Sequence, residues 1–577
     1  MAGRFRRVSG DTVRDGSKGE RLKKNILPTL TVVLLAMGWP VSAATSALAL
    51  SHFHAPQYDG GKLISWHIDA AGPFDYIMDI EAKWWSRSPL VNGWPAYITA
   101  AELTRDYIQA NGATLGATNA MGIVAYLRYF AYTGDTTYLD MARSMGDFIV
   151  QRDLTPADNA AYPRFPWPVG PTGSITPDGS GHPACHAGEV MPDKGAMLGA
   201  ALVRLYEATG DTTYLNVAVH IADVLADRAV TGTPEMSPWP FRCKAGDGAM
   251  VDGLLSGNQS FALRLFDELI RLGIQGNGKY GATRANVWSF IKNVEIADTT
   301  GGKWQDYFED HSGNQDNPNQ YCALETARYL LERKEALDPD WSAMVGSIIS
   351  TVKRLWVVHS GDYTSIGEQK FDMTPYNSHT ARYGSILAMY SEAGGPAEYK
   401  DEAYGSLAYS TYSVDSDGFA DTYYDRNIAW TSDSFGDWMN HFVEGLGAVP
   451  EWAPDNANHL LRSTSVVQAV SYGPTRVAYR TFDSSATDKL KLDFRPNVVT
   501  VDGHAITTYT WNDSSKVLVV NRSTGRQVEV TEATVAIAAP VGRAAGLHFP
   551  KAPLRAYRLD GSIGRRMGGH QVWMIRR

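Results

Sequence analysis

Two stretches of the chain repeat one turn: residues 129–139 read YFAYTGDTTYL, and residues 205–215 read LYEATGDTTYL. In each stretch an apolar segment runs into a glycine, which can adopt the positive φ that ends a helix. The aspartate that follows is a residue type that caps the next helix. A weaker third copy lies at residues 389–395. Repeated helical hairpins cannot bury their apolar faces alone, so the sequence predicts a closed toroid or an open solenoid.

Helical periodicity dominates the chain from about residue 84 to residue 448. The pattern predicts helices over residues 102–110, 119–132, 137–152, 194–208, 213–228, 260–272, 319–333, 341–356, 378–393, 399–411 and 434–445.

The repeated turn, aromatic-x-x-Thr-Gly-Asp-x-x-Tyr-Leu, resembles the turns of the six-hairpin glycosidase-like superfamily. The resemblance covers roughly residues 84–450. It implies an (α/α)6 toroid of helical hairpins that processes carbohydrate. It does not specify the reaction, because the superfamily contains both glycoside hydrolases and polysaccharide lyases.

After Trp452-Ala453-Pro454 the helical periodicity stops and short segments of alternating polarity begin. Short alternating segments separated by turn residues predict an antiparallel β-sandwich, with Asp502-Gly503 as a hairpin turn. The predicted organisation is therefore a toroid catalytic domain over residues 50–455 and a β-sandwich domain over residues 456–577, with a loose tail. The predicted strands are residues 466–470, 476–482, 487–493, 498–501, 507–511, 517–521 and 527–531.

The first 49 residues are basic and then apolar, and they end in the small-x-small triplet Ala47-Leu48-Ala49. This order is typical of an export signal, and it predicts a secreted or periplasmic protein. The apolar run of about 12 residues is shorter than the roughly 20 that a spanning helix needs. An uncleaved anchor is the alternative.

The formal net charge is −9, and removal of the basic leader leaves a more acidic chain. Such a surface repels nucleic acid and anionic membranes, so the expected partner is a polysaccharide or an oligosaccharide. Three cysteines allow one disulfide, Cys185–Cys243, with Cys322 left over. The sequence lacks nucleotide-binding, zinc-protease and α/β-hydrolase motifs, and no cofactor is expected.

Hydrolysis of a glycosidic bond needs two carboxyl groups. The candidates lie in loops or at predicted helix starts, where a plain N-capping role is the alternative for Asp193 and Asp433. These candidates are Asp193, Asp252, Glu309, Asp310, Asp433 and Asp437.

A second cluster lies within residues 376–383, where His379, Arg382 and Tyr383 are spaced to share one helix face. A lyase needs such groups, with Asn377, to neutralise a uronate carboxylate and remove a proton. The alternative is a buried polar helix face. Asp437 and His441, four residues apart, form a carboxylate–histidine pair.

Aromatic and polar side chains in the long loop before Asp193 and near residue 376 are suited to sugar rings. The candidate substrate-binding residues are Tyr162, Trp167, Tyr376, Asn377 and His441. The oxygen-rich segment 310–317 is a candidate for structural Ca²⁺, although it lacks the EF-hand spacing. The leading hypothesis is a glycoside hydrolase; a polysaccharide lyase, an epimerase and a non-catalytic glycan-binding protein are the alternatives.

Overall fold

The computed structural model describes residues 53–100, 102–111, 115–168, 188–305, 317–422 and 428–532. The predicted signal peptide, Asp310, Glu309, Cys185 and most of the candidate calcium segment lie outside these residues. None of the helices in the described ranges combines the length and hydropathy needed to cross a bilayer.

Twelve α-helices occur in the described ranges. They are α1 (Asp75–Ser86), α2 (Leu115–Thr133), α3 (Thr136–Arg152), α4 (Pro192–Thr209), α5 (Thr212–Arg228), α6 (Gln259–Arg271), α7 (Tyr280–Phe290), α8 (Gln320–Arg333), α9 (Trp341–Trp356), α10 (Asn377–Glu392), α11 (Tyr399–Thr411) and α12 (Trp438–Ala448). Two π-helical segments extend them: Ile291–Ile296 follows α7, and Ser432–Asp437 precedes α12.

The even-numbered helices form a closed inner ring. Each packs on the next, and α12 returns to α2, while the odd-numbered helices lie outside. The sixth pair joins the two ends of the helical region, where Phe74, just before α1, packs edge-to-face on Phe442 of α12. The chain is therefore the predicted (α/α)6 toroid and not an open solenoid.

Burial distinguishes the two rings. Fifteen of the eighteen residues of α4 are buried, whereas α5 buries eight of seventeen along one stripe. A helix that is buried on all sides belongs inside, and an amphipathic one belongs on the surface. The pattern of apolar residues thus assigns each helix of a hairpin to its ring.

The repeated turn joins an inner helix to an outer one, as predicted. Gly134 and Gly210 adopt φ of 77° and 75°. The carboxylate of Asp135 accepts a hydrogen bond from the Thr137 amide at 2.9 Å. Asp211 caps α5 in the same way.

Short strands decorate the helical region. They are β1 (Gln57–Asp59), β2 (Lys62–Ile64), β3 (Leu90–Val91), β4 (Trp94–Pro95), β5 (Glu102–Thr104), β6 (Gln109–Asn111), β7 (Glu189–Val190), β8 (Arg242–Lys244), β9 (Met250–Asp252), β10 (Val357–His359), β11 (Ser365–Ile366) and β12 (Ile428–Trp430). The helix predicted over residues 102–110 is wrong, because this segment forms β5 and β6. It pairs with β12, more than 300 residues away in sequence.

The C-terminal region is β-rich and consists of two antiparallel sheets. Its strands are β13 (His459–Ser463), β14 (Val467–Gly473), β15 (Arg476–Thr481), β16 (Ala486–Lys491), β17 (Val498–Val501), β18 (His504–Ala505), β19 (Tyr509–Asn512), β20 (Val517–Arg522) and β21 (Gln527–Thr531). One sheet has the order β13-β16-β20-β19, and the other has β14-β15-β21-β17-β18. Asp502 and Gly503 form the predicted turn, with φ of 48° and 78°.

The β-rich region packs on the C-terminal ends of the inner helices. The Tyr472 hydroxyl donates to the Ala131 carbonyl at 2.5 Å, and Gln468 donates to the Glu207 carbonyl at 2.7 Å. Arg462 forms an ion pair with Glu392 at the end of α10. Helix ends carry carbonyls without helical partners, so the β-rich region satisfies some of them and leaves the opposite mouth of the toroid for the N-terminal ends.

Candidate functional site

The N-terminal ends of the inner helices converge at one mouth of the toroid. Asp193, in the first turn of α4, accepts a hydrogen bond of 3.1 Å from Asn258, which immediately precedes α6. On the other side of the ring, His379 of α10 lies 3.9 Å from Asp433, in the π-helical segment before α12. Chemically active side chains from distant parts of the sequence therefore meet here.

Several polar atoms at this mouth are buried and have no hydrogen-bond partner among the described residues. They are Asp193 Oδ1, Asn258 Oδ1, Gln259 Oε1, Gln320 Nε2 and Ser378 Oγ. Burying such a group without a partner costs free energy, so native proteins pair it with protein, water or ligand. Their concentration at the inner-helix N-termini is typical of a ligand-binding mouth.

The two carboxylate oxygens of Asp193 differ in their contacts: Oδ2 is hydrogen-bonded, and Oδ1 has no partner among the described residues. Its Oδ2 accepts from the Lys194 ammonium at 2.7 Å and from Asn258. All three side chains are buried. The Oδ1 of Asp193 is buried at the mouth, and no described residue forms a hydrogen bond with it.

Across the mouth from Asp193, two aspartates, Asp433 and Asp437, lie close together. One ligand-type atom from each of His379, Asp433 and Asp437 lies within 4.8 Å of the others. The π-helical segment brings Asp433 and Asp437, four residues apart, close to one face. Among the residues that the structure describes, these three form the one cluster whose ligand atoms are close enough to hold a metal ion. The guanidinium of Arg382 binds the Asp437 carboxylate, and its positive charge opposes a cation there.

A buried ionic network lies below the mouth. Arg382 contacts Glu325 and Asp437. Arg328 donates to His441 Nδ1 at 2.8 Å, and His441 Nε2 lies 2.8 Å from Asp437 Oδ1. Arginine can only donate, so Nδ1 accepts and the imidazole proton lies on Nε2. Asp437 is thus fixed as an ionised acceptor between a guanidinium and an imidazole.

Both histidines of the site are neutral. Burial and the neighbouring Arg328, Arg382 and Arg128 hold the pKa of His441 well below its usual range. Burial and Arg382 do the same for the pKa of His379.

An axial cavity of about 60 Å³ lies between the inner helices. Part of its wall is apolar, from side chains such as Met121, Met197 and Phe261, and part is charged. The charged and polar lining residues are Arg128, Arg204, Arg264, Arg328, Glu325, Glu332, Asp437 and Asn440.

Known structures match this architecture. The matches include a D-mannose isomerase, with 10% identity over 65% of this chain and 97% of that one and a TM-score of 0.51. A second match is the cellobiose 2-epimerase of Spirochaeta thermophila, with 14% identity over 65% of this chain and 94% of that one and a TM-score of 0.47. A third is an α-1,6-mannanase of Salegentibacter sp. HEL1_6, with 12% identity over 66% of this chain and 99% of that one and a TM-score of 0.43. No protein-family model and no curated protein sequence matches the chain.

The chain has the (α/α)6 toroid fold. The closed ring of six inner helices and the mannose isomerase match establish this assignment, and the sequence resemblance is confirmed at the level of fold.

The six-hairpin toroid brings together some of the residues singled out in the sequence. Asp193, His379 and Asp437 lie near the mouth or the cavity, with Arg382 and His441 in the network beneath. Asp252 ends β9, where its backbone pairs with Arg242; its side chain lies outside the described part of the structure.

The polar groups of three other predicted residues bind partners outside the carboxylate cluster, although the Tyr376 ring packs edge-on against His379 with 5.6 Å between ring centroids. Tyr383 turns away from the axis, and its hydroxyl donates to Glu402 of the outer helix α11 at 2.6 Å. The expected common face of Arg382 and Tyr383 is therefore wrong, since consecutive residues diverge by about 100° around a helix. Asn377 donates to the Asp421 carbonyl, and the Tyr376 hydroxyl donates to Asp372 at 2.9 Å.

The two loop aromatics pack in the protein interior. The Tyr162 hydroxyl lies 3.3 Å from the Cys243 thiol, and Trp167 is 6% exposed. Cys243 and Cys322 are buried, and neither forms a disulfide with a described residue; the predicted partner of Cys243, Cys185, lies outside the described residues. A role of Tyr162 or Trp167 in binding a glycan stays a prediction.

Sequence reasoning missed most of the axial charges. Arg128, Arg204 and Arg264 lie within helices rich in buried apolar residues, and Glu325 and Arg328 lie in α8. Charged residues are almost never buried unless they are paired. A lone arginine inside an apolar stretch, such as Arg264 in Phe261-Ala-Leu-Arg-Leu-Phe266, was the available signal.

Proposed function

We propose that this protein is a carbohydrate-active enzyme that hydrolyses glycosidic bonds at the N-terminal mouth of the toroid. The observation that carries the proposal is the set of buried carboxylates there: Asp193, with one oxygen that no described residue binds, on one side, and Asp433 beside Asp437 on the other. Hydrolysis through two carboxyl groups needs no cofactor.

The proposed roles follow from the surroundings of each carboxylate. Asp437 is held ionised by Arg382 and His441 and positions its neighbours. Asp433 lies close to this fixed negative charge, and two such close carboxylates favour one shared proton. Asp433 is therefore the proposed acid, which protonates the leaving glycosidic oxygen. Asp193 is the proposed base, which takes the proton from the water that attacks the anomeric carbon.

The test is a pair of substitutions assayed for new reducing ends on a panel of neutral and uronate-containing polysaccharides. Asp193→Asn and Asp433→Asn keep the shape of the side chain and remove its acid–base chemistry. Each should lower kcat by about 10²–10⁴-fold. Asp211→Asn, at the exposed N-cap of α5, is the matched control and should keep full activity. Full activity in Asp193→Asn and Asp433→Asn would overturn the proposal.

Proton transfer at a sugar carbon, as in an epimerase, is the second candidate. It is favoured by His379 of α10, whose imidazole is kept neutral by burial and by Arg382, which lower its pKa. A neutral imidazole is a competent base. Such a reaction exchanges a carbon-bound hydrogen with solvent and releases no new reducing end. Elimination by a lyase has less support, because Tyr383 is bound to Glu402 outside the ring.

We also propose that the protein is exported and that its domains divide between residues 455 and 456. The first C-terminal strand begins at His459, close to this boundary. The buried Tyr479 and Arg522 of different sheets both bind Asp488, at 2.9 Å each. This shared carboxylate supports the packing of the two sheets as a sandwich.

A further inference from the structure

One arginine of the axial network has no ionic partner among the described residues. Each of the other four axial arginines can be assigned a carboxylate of its own. The pairs are Arg382 with Asp437, Arg328 with Glu325, Arg128 with Glu444, and Arg264 with Glu332. Arg204 lines the same cavity, and neither a hydrogen bond nor an ion pair joins it to any described residue.

The surroundings of Arg204 are cationic. Burial lowers its pKa, and the charges of Arg264 and Arg128 lower it further against the attraction of Glu332 and Glu268. Glu332 is bound by Arg264 and lies 3.5 Å from Arg128. Glu268 is held by Arg271 at 2.7 Å. The nearby acids are thus already engaged, and an excess positive charge remains at Arg204.

The cavity can accommodate a ligand group beside this charge. Its volume of about 60 Å³ exceeds the roughly 10–15 Å³ that one water molecule needs, so it has room for a compact group and not for a whole sugar chain. Arg204, Arg128 and Arg264 come from three adjacent inner helices, α4, α2 and α6. They reach the space from different directions, while Ala200 and Ala201 leave room on the wall. A rigid ring with converging guanidinium groups suits a compact anion.

We propose that the axial cavity binds a small oxyanion group, a carboxylate or a sulfate, with Arg204 as its principal donor. On a glycan these groups are the carboxylate of a uronic acid and a sulfate ester. The inference names an acidic sugar as the substrate class and in that respect rests on the proposed function. The anion site itself stands on the unpaired guanidinium and the cavity.

The experiment is calorimetric titration of the full chain at low ionic strength with D-glucuronate, D-glucose and sodium sulfate. D-Glucuronate should bind at least tenfold more tightly than D-glucose. Arg204→Gln should weaken D-glucuronate binding at least tenfold, and Arg204→Lys, which keeps the charge and loses the planar fork, should fall between the two. Arg143→Gln, on the exposed side of α3, is the control and should bind like the wild type.

Sulfate that binds with the same dependence on Arg204 supports a general oxyanion site, and D-glucuronate binding alone supports a uronate subsite. Equal binding of D-glucuronate and D-glucose, or unchanged binding in both Arg204 variants, would overturn the inference. The Tm of each variant is measured beside that of the wild type, so that lost binding at an unchanged Tm is distinguished from unfolding. The titration requires no turnover, and a failed anion site with intact hydrolysis of neutral glycans leaves the proposed function standing.

Discussion

Arg382 and Tyr383, adjacent in sequence, have opposite surroundings. The guanidinium enters the axial network, whereas the phenol binds Glu402 of an outer helix. The sequence marked both as functional because their spacing from His379 fits a helix face. It could not show which side of α10 faces the axis, because that depends on the closure of the ring. Asp193 and Asp437 could be singled out, since acidic residues at helix starts are visible in sequence.

The buried pair of Glu325 and Arg382 provides a residue-scale test. Glu325→Gln leaves the guanidinium of Arg382, which is fully buried, with less compensation. We expect a loss of about 3–5 kcal/mol in the free energy of unfolding, measured with urea. Glu529→Gln breaks an exposed ion pair with Arg476 and should cost at most about 1 kcal/mol. Equal effects of the two substitutions would contradict the proposed burial of the network.

Glu332 should make stability depend on pH. Burial alone would raise its pKa, but the charges of Arg264, Arg204 and Arg128 outweigh burial and lower the pKa from 4.5 to about 2. A carboxyl with a lowered folded pKa stabilises the protein above its unfolded pKa, and this contribution is lost as pH falls from about 4.5 towards 2. The stability difference between wild type and Glu332→Gln should therefore shrink over this interval. Unfolding in urea at several pH values measures it.

Glu235→Gln is the control for this titration, because Glu235 is exposed. Its stability difference from the wild type should stay near zero throughout. A difference for Glu332→Gln that is constant or grows on acidification would show that the arginines do not hold this carboxylate ionised.

At the scale of elements, the sequence predicted helices well where turn chemistry and periodicity agree. Ten of the eleven predicted segments coincide with helices, and two helices, α1 and α7, were missed. The helix prediction over residues 102–110 was wrong because the strand that pairs with this segment, β12, is distant in sequence. Strand propensity depends on such tertiary context. The π-helical segment Ser432–Asp437, which pairs Asp433 with Asp437, has no recognised sequence signal.

The glycine of the repeated turn can be tested directly. Gly210 has φ of 75°, and a Cβ there meets no atom within 4 Å. Gly210→Ala should therefore cost about 1–2 kcal/mol through backbone strain alone. Gly246→Ala also has open space but no positive φ, so it should be neutral or slightly stabilising. Thermal unfolding compares the two variants, and an equal Tm for both would contradict the assignment of Gly210 as the helix terminator.

For the whole molecule, the two ends of the toroid have different environments. The β-rich region covers the C-terminal ends of inner helices, and five of the buried polar atoms that no described residue binds lie at the N-terminal mouth. The sequence anticipated a helical region followed by a strand-rich one. Their mutual orientation rests on hydrogen bonds between residues more than 250 positions apart, which no local pattern encodes.

The contact between the two regions makes a further prediction. The Tyr472 hydroxyl donates to the Ala131 carbonyl and accepts from the Leu460 amide at 2.8 Å. Tyr472→Phe leaves both backbone groups without this partner and should cost about 1–3 kcal/mol in urea unfolding. Tyr509→Phe, in the partly exposed strand β19, should change stability by less than about 0.5 kcal/mol. A neutral Tyr472→Phe would contradict a structural role of the covering β-rich region.

Hydrolysis at the N-terminal mouth is tested by a reaction in oxygen-18-labelled water with product masses read by mass spectrometry. Hydrolysis should give new reducing ends that each carry one heavy oxygen, and Asp433→Asn should slow their formation by about 10²–10⁴-fold. Products that are unsaturated, or isomers formed without cleavage and without the heavy label, would contradict hydrolysis and shift the chemistry to His379.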